Sequence, residues 1–473
     1  MAKKQKNIYV NLTIEKYVAE GKCISHLADG KVIFIEHAIP ADQVTVLVTK
    51  SKKDFAQGRI TKINVPSPLR QQAFCSHFGT CGGCQWQSLP YTQQLQFKQQ
   101  QVVDQLTRIS RQPLPECLPI LGCTETEYYR NKLEFTFSNK KYLSTEEISN
   151  KEISPYQDVA GYHVRGIFDK IIDIDTCYLQ AEPTNAIRNF VKQYAIANQL
   201  PFYDLRMHTG WLRTMQIRLC KTGELMVNIV TKYFDNVHTI GLCTALQNNF
   251  PAITTLLYTI NNKVNDSYLG LNPVIFSGSG YAIEQLGKFK FIIGPKSFFQ
   301  TNTNQALNLY QVTKNFAQLK EGDVLYDLYC GTGSIGIFCS DKASKIIGVE
   351  MVEEAVESAK ENAQLNNITN AHFFTGAAEK ICDDAFFALH GKPNVIITDP
   401  PRAGMHDALI QALLRIAAPT IVYVSCNPAT QARDVALLGI KYNITKLQPV
   451  DMFPHTHHIE NVLQLKLRMD ILN

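Results

Sequence analysis

The sequence predicts an α/β chain of three units: a C-terminal doubly wound, Rossmann-like domain, an N-terminal OB-like β-barrel, and a β-rich central domain carrying a cysteine cluster. Three observations predict it. After about residue 300, strand-like and helix-like segments alternate, the signature of a mostly parallel sheet with helices on both faces. Residues 8 to 64 alternate apolar and polar residues in short bursts broken by Gly, Asp and Pro, the rhythm of a small antiparallel barrel of five strands. The 473 residues exceed one ordinary core, and 45% apolar with 19% charged residues is globular composition. The units are expected at 1–65, 66–290 and 291–473.

At the amino end, "MAKKQKNIYVNLTIEKYV" lacks the apolar core of a signal peptide, and no run approaches the roughly 18 apolar residues of a membrane span. A cytoplasmic monomer is expected. The net charge is +5, but residues 1 to 70 hold twelve Lys and Arg against six Asp and Glu. A basic unit ahead of a near-neutral body suits a polyanion, although a solvated basic face gives the same count. "PSPLRQQ" reads as a linker and "YTQQLQFKQQQVVDQLTRI" as a helix. "KLEFTFS", "TMQIRLC" and "ELMVNIV" read as central strands, and polar residues 141–158 as an exposed loop insertion.

In the C-terminal unit "DVLYDLYC", "KIIGVE", "NVIITDPP" and "TIVYVSCN" are strands, separated by helices in "SIGIFCSDKA", "MVEEAVESAKENAQLN" and "DALIQALLRIA". Ligands of such sheets bind at the carboxyl ends of the strands. There "DLYCGTGSIG" carries Asp327, Gly331, Gly333 and Gly336, whose glycines let the backbone approach a ligand. The motif alone is shared with dinucleotide sites. Glu350 at the end of the next strand suits a ribose, and Asp399 in "DPP" faces the same crevice, a set that favours S-adenosyl-L-methionine.

Thirteen cysteines with no export signal are read as reduced thiols. Cys75, Cys81 and Cys84 are clustered, and Cys177 in "DIDTCYL" is the best fourth ligand by context. One C-x2-C pair rather than two favours a 4Fe-4S cluster over zinc. Cys426 ends a strand beside that of Asp399, where Asn427 and Pro428 stop the strand and expose the thiol. Glu460 lies in "DMFPHTHHIENV". Methylation at carbon 5 of a pyrimidine needs both groups, because C5 is too weak a nucleophile until a thiolate adds to C6. Cys426 is then the nucleophile and Glu460 the base that removes the C5 proton. An amine N-methyltransferase acting through "DPPR" needs neither, and a noncatalytic RNA-binding protein is a second alternative. His455, His457 and His458 are expected to pack locally rather than to hold a metal.

Taken together, these residues resemble the RNA uracil-5 methyltransferases, in particular the iron-sulfur branch that modifies 23S ribosomal RNA. The resemblance covers nearly the whole chain, through the barrel, "CxxxxxCGGCQWQ", "YRNKLEF", "FFQTN", "DLYCGTGSIG", "DPPRAG", "SCNPAT" and "DMFPHTHHIE". It implies a TRAM domain, an RNA partner, S-adenosyl-L-methionine and a 4Fe-4S cluster. It also implies that Gln300, Tyr329, Glu350 and Asp399 bind the cofactor, that Cys426 and Glu460 are catalytic, and that Cys75, Cys81, Cys84 and Cys177 hold the cluster. Ser334 stands where relatives often have Asn. Arg130 and Lys132 are expected to contact base or phosphate, with surface ion pairs as the alternative, and the target to be a flipped loop uridine.

Overall fold

A computed structural model describes residues 8–468. The barrel has six strands, β1 (Ile8–Thr13), β2 (Lys16–Tyr17), β3 (Cys23–His26), β4 (Val32–Glu36), β5 (Gln43–Ser51) and β6 (Phe55–Val65), in the order β1-β5-β6-β4-β3-β2. One more strand is present than the sequence rhythm suggests, because β2 is only two residues long. Alternation sends Ile33, Ile35, Val44, Val46 and Ala56 inward with Ile14 and Cys23. β5 and β6 pass so closely that a Cβ on Gly58 would lie 2.3 Å from Val46 Cγ1. The linker is a pinned strap. Buried Asp42 accepts hydrogen bonds from Ser67 N at 2.8 Å and from Arg70 Nε and NH2 at 2.7 Å each.

The central sheet comprises β7 (Lys132–Ser138), β8 (Val159–His163), β9 (Ile171–Asp173), β10 (Leu212–Leu219), β11 (Leu225–Thr231), β12 (Thr255–Ile260) and β13 (Val274–Ser277), ordered β13-β12-β11-β10-β7-β8-β9. Its apolar face, with Leu133, Phe135, Met215, Ile217 and Val227, packs on helices Thr184–Ala197 and Asn236–Asn249 through Ile187, Val191, Leu242 and Leu246. Part of the 141–158 segment is ordered as helix Thr145–Ser149. Its signal was a capping box: Ser144 Oγ accepts from Glu147 N, and Glu147 Oε2 accepts from Ser144 N.

A hairpin, β14 (Ala282–Leu286) and β15 (Phe289–Ile293), buries Leu286, Phe289, Phe291 and Ile293 in the C-terminal core. The expected boundary at 290/291 falls inside it. The C-terminal sheet is β16 (Val324–Leu328), β17 (Lys345–Glu350), β18 (Ala371–Thr375), β19 (Val395–Thr398), β20 (Thr420–Ser425), β21 (Tyr442–Val450) and β22 (Glu460–Leu467), ordered β18-β17-β16-β19-β20-β22-β21. β16 to β20 run parallel, and β22 is antiparallel to both of its neighbours. The helix after β16 spans only Ser334–Phe338, shorter than "SIGIFCSDKA" suggests.

Helix Tyr91–Ile109 occupies the residues read from sequence, but its partner is the C-terminal domain. Val102 and Leu106 share a core with Leu409, Leu413, Val435 and Leu438. The chain after it continues along β21, where Leu118 N donates to Leu447 O at 3.1 Å and Leu121 N to Pro449 O at 3.1 Å. Sequence-distant residues are thus built into the layer that carries the site. No described helix is long and apolar enough to cross a membrane.

Candidate active site

The carboxyl ends of β16, β17, β19 and β20 share one crevice. β16 runs into Tyr329 (φ 62°), Gly331 (φ 53°) and Gly333 (φ 76°), so the loop turns through three left-handed residues before its helix. A Cβ on Gly333 would lie 2.9 Å from the Phe373 ring, whereas one on Gly331 would meet nothing within 4 Å. The first glycine is required by packing, and the second leaves open space above the backbone. Glu350 is already oriented: Oε2 accepts from Gly331 N at 3.2 Å, and Oε1 from Met351 N at 2.8 Å and Val352 N at 3.0 Å.

Asp327 Oδ2 accepts from Gly336 N at 2.8 Å, while its buried Oδ1 has no partner. Burial pushes its carboxyl up to about 7, and the charges of Asp399 and Glu350 add to the rise. Asp399 is raised to about 7 by burial. Asp327, Glu350 and Asp399 make this part of the crevice acidic, so it suits a ligand with a sulfonium and an ammonium group. Ser334 Oγ is engaged by Tyr310 Oη at 2.8 Å. Gln300 is buried, and its carbonyl accepts from Asn131 Nδ2 at 3.0 Å. Asn131 also donates to Thr303 Oγ1 at 2.9 Å and Glu284 Oε2 at 3.3 Å, which makes it a hub that the sequence reading overlooked inside "YRNKLEF".

Strand register brings Cys426 and Glu460 together. Ser425 pairs with Asn461 in the antiparallel β20–β22 ladder, so the next step sets Cys426 opposite Glu460. Burial pushes the Cys426 thiol up to about 12, the charges of Glu460 and Asp399 add to it, and Arg402 opposes them. Glu460 is held well above the usual carboxylate range by burial and then by Asp399. Arg402 sits on a fixed loop. Its carbonyl accepts from Asn427 Nδ2 at 3.0 Å and Thr430 Oγ1 at 3.3 Å.

The loop 451–459, which leads into Glu460, is anchored from every side. Lys98 Nζ is 2.5 Å from Asp451 Oδ1, with both side chains fully buried, and it also donates to Phe453 O at 3.1 Å. Tyr91 Oη donates to Asp451 Oδ2 at 2.8 Å, Tyr129 Oη to Pro454 O at 3.1 Å, and Asn302 Nδ2 to Met452 O at 3.0 Å. His455 O accepts from Gln85 N at 2.7 Å and Trp86 N at 3.0 Å, while His455 N donates to Gln94 Oε1 at 2.8 Å. His457 Nδ1 meets Gln85 Oε1. Burial pushes His455 and His458 down to about 4 and His457 to about 3, helped by nearby cations, so all three are neutral at pH 7. They pack locally. Gln94 and Lys98, one helical turn apart, went unread because polar residues in a Gln-rich helix look solvent-facing.

Cys75, Cys81, Cys84 and Cys177 line one cavity of about 150 Å3, with Phe78, Tyr162 and Arg130 among the other walls. All four are free thiols. Burial pushes Cys81 up to about 11 and Cys84 to about 12. A Cβ on Gly82 would lie 2.6 Å from His163 O, which explains the CGG sequence at this close approach. Among the described residues, no three His, Cys, Asp or Glu form a group that could hold a metal ion. Arg130 stacks over Phe453 at 5.1 Å, and burial followed by Arg218 lowers the affinity of Lys132 for its proton. Neither makes an ion pair among the described residues.

Comparison with known proteins gives one direction. A family model described as tRNA (uracil-5-)-methyltransferase matches residues 285–468, and the TRAM domain model matches residues 3–61. An uncharacterized RNA methyltransferase of Bacteroides thetaiotaomicron is 47% identical over 454 residues, covering 95% of this chain and 100% of the relative. One from Chlorobaculum tepidum is 37% identical over 97% of this chain and 96% of the relative. The crystal structure of Pyrococcus abyssi tRNA (uracil-54, C5)-methyltransferase in complex with S-adenosyl-L-homocysteine superposes with a TM-score of 0.75 and 27% identity, over 96% of this chain and 100% of that one.

The loop anchorage predicts the behaviour of one variant. Lys98→Met leaves Asp451 buried without its cation, which costs about 3 to 5 kcal/mol. Urea unfolding monitored by circular dichroism should show that loss, and adding Asp451→Leu to the same chain should recover most of it.

Proposed function

The chain belongs to the S-adenosyl-L-methionine-dependent RNA (uracil-5-)methyltransferase family with an N-terminal TRAM domain, and from that premise we propose that it forms 5-methyluridine in 23S ribosomal RNA through a covalent bond from Cys426 to uracil C6. The observation that carries the mechanism is that the β20–β22 ladder ends at Ser425 and Asn461, beside Cys426 and Glu460, and that the charge of Glu460 acts on the Cys426 thiol. The bound cofactor supplies an electrophilic methyl group on a sulfonium.

Cys426 reaches the reaction as a thiol, and its proton passes to a neighbouring carboxylate as uridine binds. The sulfur then gives an electron pair to C6, and the C5–C6 π pair moves toward C5 and O4. C5 takes the methyl group, whose bond to the sulfonium breaks and leaves its electron pair on that sulfur. Glu460 removes the C5 proton, the C5–C6 double bond re-forms, and the C6–S bond breaks to return the thiolate. Its raised proton affinity makes ionised Glu460 a stronger base than a surface carboxylate. Arg402 is the cation placed to favour the thiolate. Glu350 is positioned for the ribose hydroxyls, with Gln300, Tyr329, Gly331, Gly333 and Asp399 as further cofactor contacts. The reaction belongs in the cytoplasm, with ribosomal RNA.

The donor set of Cys75, Cys81, Cys84 and Cys177 fits a 4Fe-4S cluster. Four free thiols line one cavity and are the residues that would hold such a cluster, and the single C-x2-C pair is the feature that favours it over zinc. The thiols' role is to tie the segment that contacts loop 451–459 to the central domain. Transfer RNA is the competing substrate, favoured by the description of the family model and by the Pyrococcus neighbour.

Four outcomes are expected. RNA containing 5-fluorouridine should trap a denaturation-resistant adduct on gels, because fluorine cannot leave as a proton does; Cys426→Ala should abolish it, and Glu460→Gln should accumulate a methylated adduct on ordinary RNA. Protein purified without oxygen should absorb in the visible range and lose that band in Cys81→Ala; a colourless zinc protein would contradict the cluster. Acidification protonates Asp327 and Asp399 as pH falls through about 7, so calorimetry should show affinity for S-adenosyl-L-methionine falling about tenfold from pH 8 to pH 6, with a far smaller change for uncharged-sulfur S-adenosyl-L-homocysteine. Mapping 5-methyluridine in a deletion strain should show its loss from 23S RNA with transfer RNA unchanged; the reverse pattern would assign the competing substrate.

A further inference from the structure

A second cavity, of about 230 Å3, opens between the barrel and the cysteine-bearing segment. Ile60 and Ile63 of β6 form one wall, Phe78 and Trp86 the other, and Arg165 of the central domain stands among the lining residues. Phe78 also lines the cysteine cavity. The apolar wall is open, with Ile63 39% exposed.

The cations of this cleft differ in availability. Arg70 is committed to Asp42 by two hydrogen bonds at 2.7 Å. Arg165 has only a loose pairing, 3.9 Å from Glu36, with both side chains over a third exposed at 35% and 43%. On β6 beside the cleft, Arg59 and Lys62 are exposed and make no ion pair among the described residues. Two residues of the cleft pack against the loop that leads into Glu460. A Cβ on Gly21, another lining residue, would lie 3.0 Å from His457 Cβ, and Gln85, also in the lining, contacts the same imidazole. Arg165 and Arg402 both act electrostatically on His457 and His458, from different domains.

An apolar slot with one loosely paired guanidinium, a basic strand beside it and walls that pack against the loop leading into Glu460 matches single-stranded RNA. Bases stack or pack on apolar walls regardless of sequence, and the phosphate takes the cation. We propose that this cleft is a nucleotide subsite that holds an unpaired RNA residue flanking the target uridine, its base between Ile63 and Phe78 and its phosphate on Arg165. The assignment rests on RNA as the substrate. It gives the barrel a role beyond charge, since β6 supplies half of the slot.

The test measures binding of a fluorescein-labelled, uridine-rich single-stranded RNA to the full chain across a potassium chloride series, with S-adenosyl-L-methionine affinity measured in parallel. Arg165→Glu should weaken RNA binding roughly tenfold and reduce the log–log salt slope by about 0.7, the contribution of one single-strand phosphate contact. Ile63→Asn should weaken binding roughly threefold with the slope unchanged. Cofactor affinity should stay within about twofold of wild type in both, since neither residue borders that crevice. Wild-type affinity and slope in both variants would overturn the subsite while leaving the substrate reading intact. Failure of the wild-type chain to bind RNA at any salt concentration would instead overturn the substrate reading, and the subsite with it.

Discussion

The buried pair of Lys98 and Asp451 is the contact on which the rest of the site depends. Two charges withdrawn from water are tolerated only with close geometry and further hydrogen bonds, and here Tyr91 Oη, Phe453 N and Phe453 O supply them. The pair fixes the first residue of loop 451–459 against helix Tyr91–Ile109. From there Gln94 and the backbone of Gln85 and Trp86 hold His455, and β22 begins at Glu460. The position of the proposed base is therefore set by residues that lie some 350 positions away in sequence. The cysteine-bearing segment is one of those supports, through the backbone of Gln85 and Trp86.

Electrostatics give the crevice its chemical character. Asp327, Glu350, Asp399 and Glu460 lie at or beside neighbouring strand ends, and burial raises three of them. Such a group of carboxylates repels itself and is relieved by a cationic ligand. Burial, and after it the same negative surroundings, keeps Cys426 protonated in the free protein. A thiol in this state is inert, and the proposed mechanism requires uridine, Arg402 and a proton-accepting carboxylate to act on it together.

Much of the fold was legible in the sequence because periodicity reports burial. The strand KIIGVE and the helix beginning at Tyr91 occupy the residues their patterns indicate. Cys426 and Glu460 were read from sequence as a pair that carbon methylation of a pyrimidine asks for. Their juxtaposition was not legible. It follows from the insertion of antiparallel β22 beside β20, a long-range pairing that no local pattern encodes. Nor could a Gln-rich helix announce that Gln94 and Lys98 turn inward, or an Asn in YRNKLEF that it ties the central domain to Gln300 and Thr303. The two-residue β2 was too short for a periodicity, and the hairpin across 290/291 belongs by packing to the domain that follows it.

In the proposed reaction Cys426 bonds C6 and Glu460 acts at C5 of one uracil, and a crystal structure of the protein quenched on RNA carrying 5-fluorouridine tests this most directly. The account predicts continuous density from Cys426 Sγ to C6, a methyl group and fluorine on C5, and the Glu460 carboxylate directed at that carbon. A uracil seated in the crevice with Cys426 unbonded, or a methyl group carried on any other atom of the base, would contradict it.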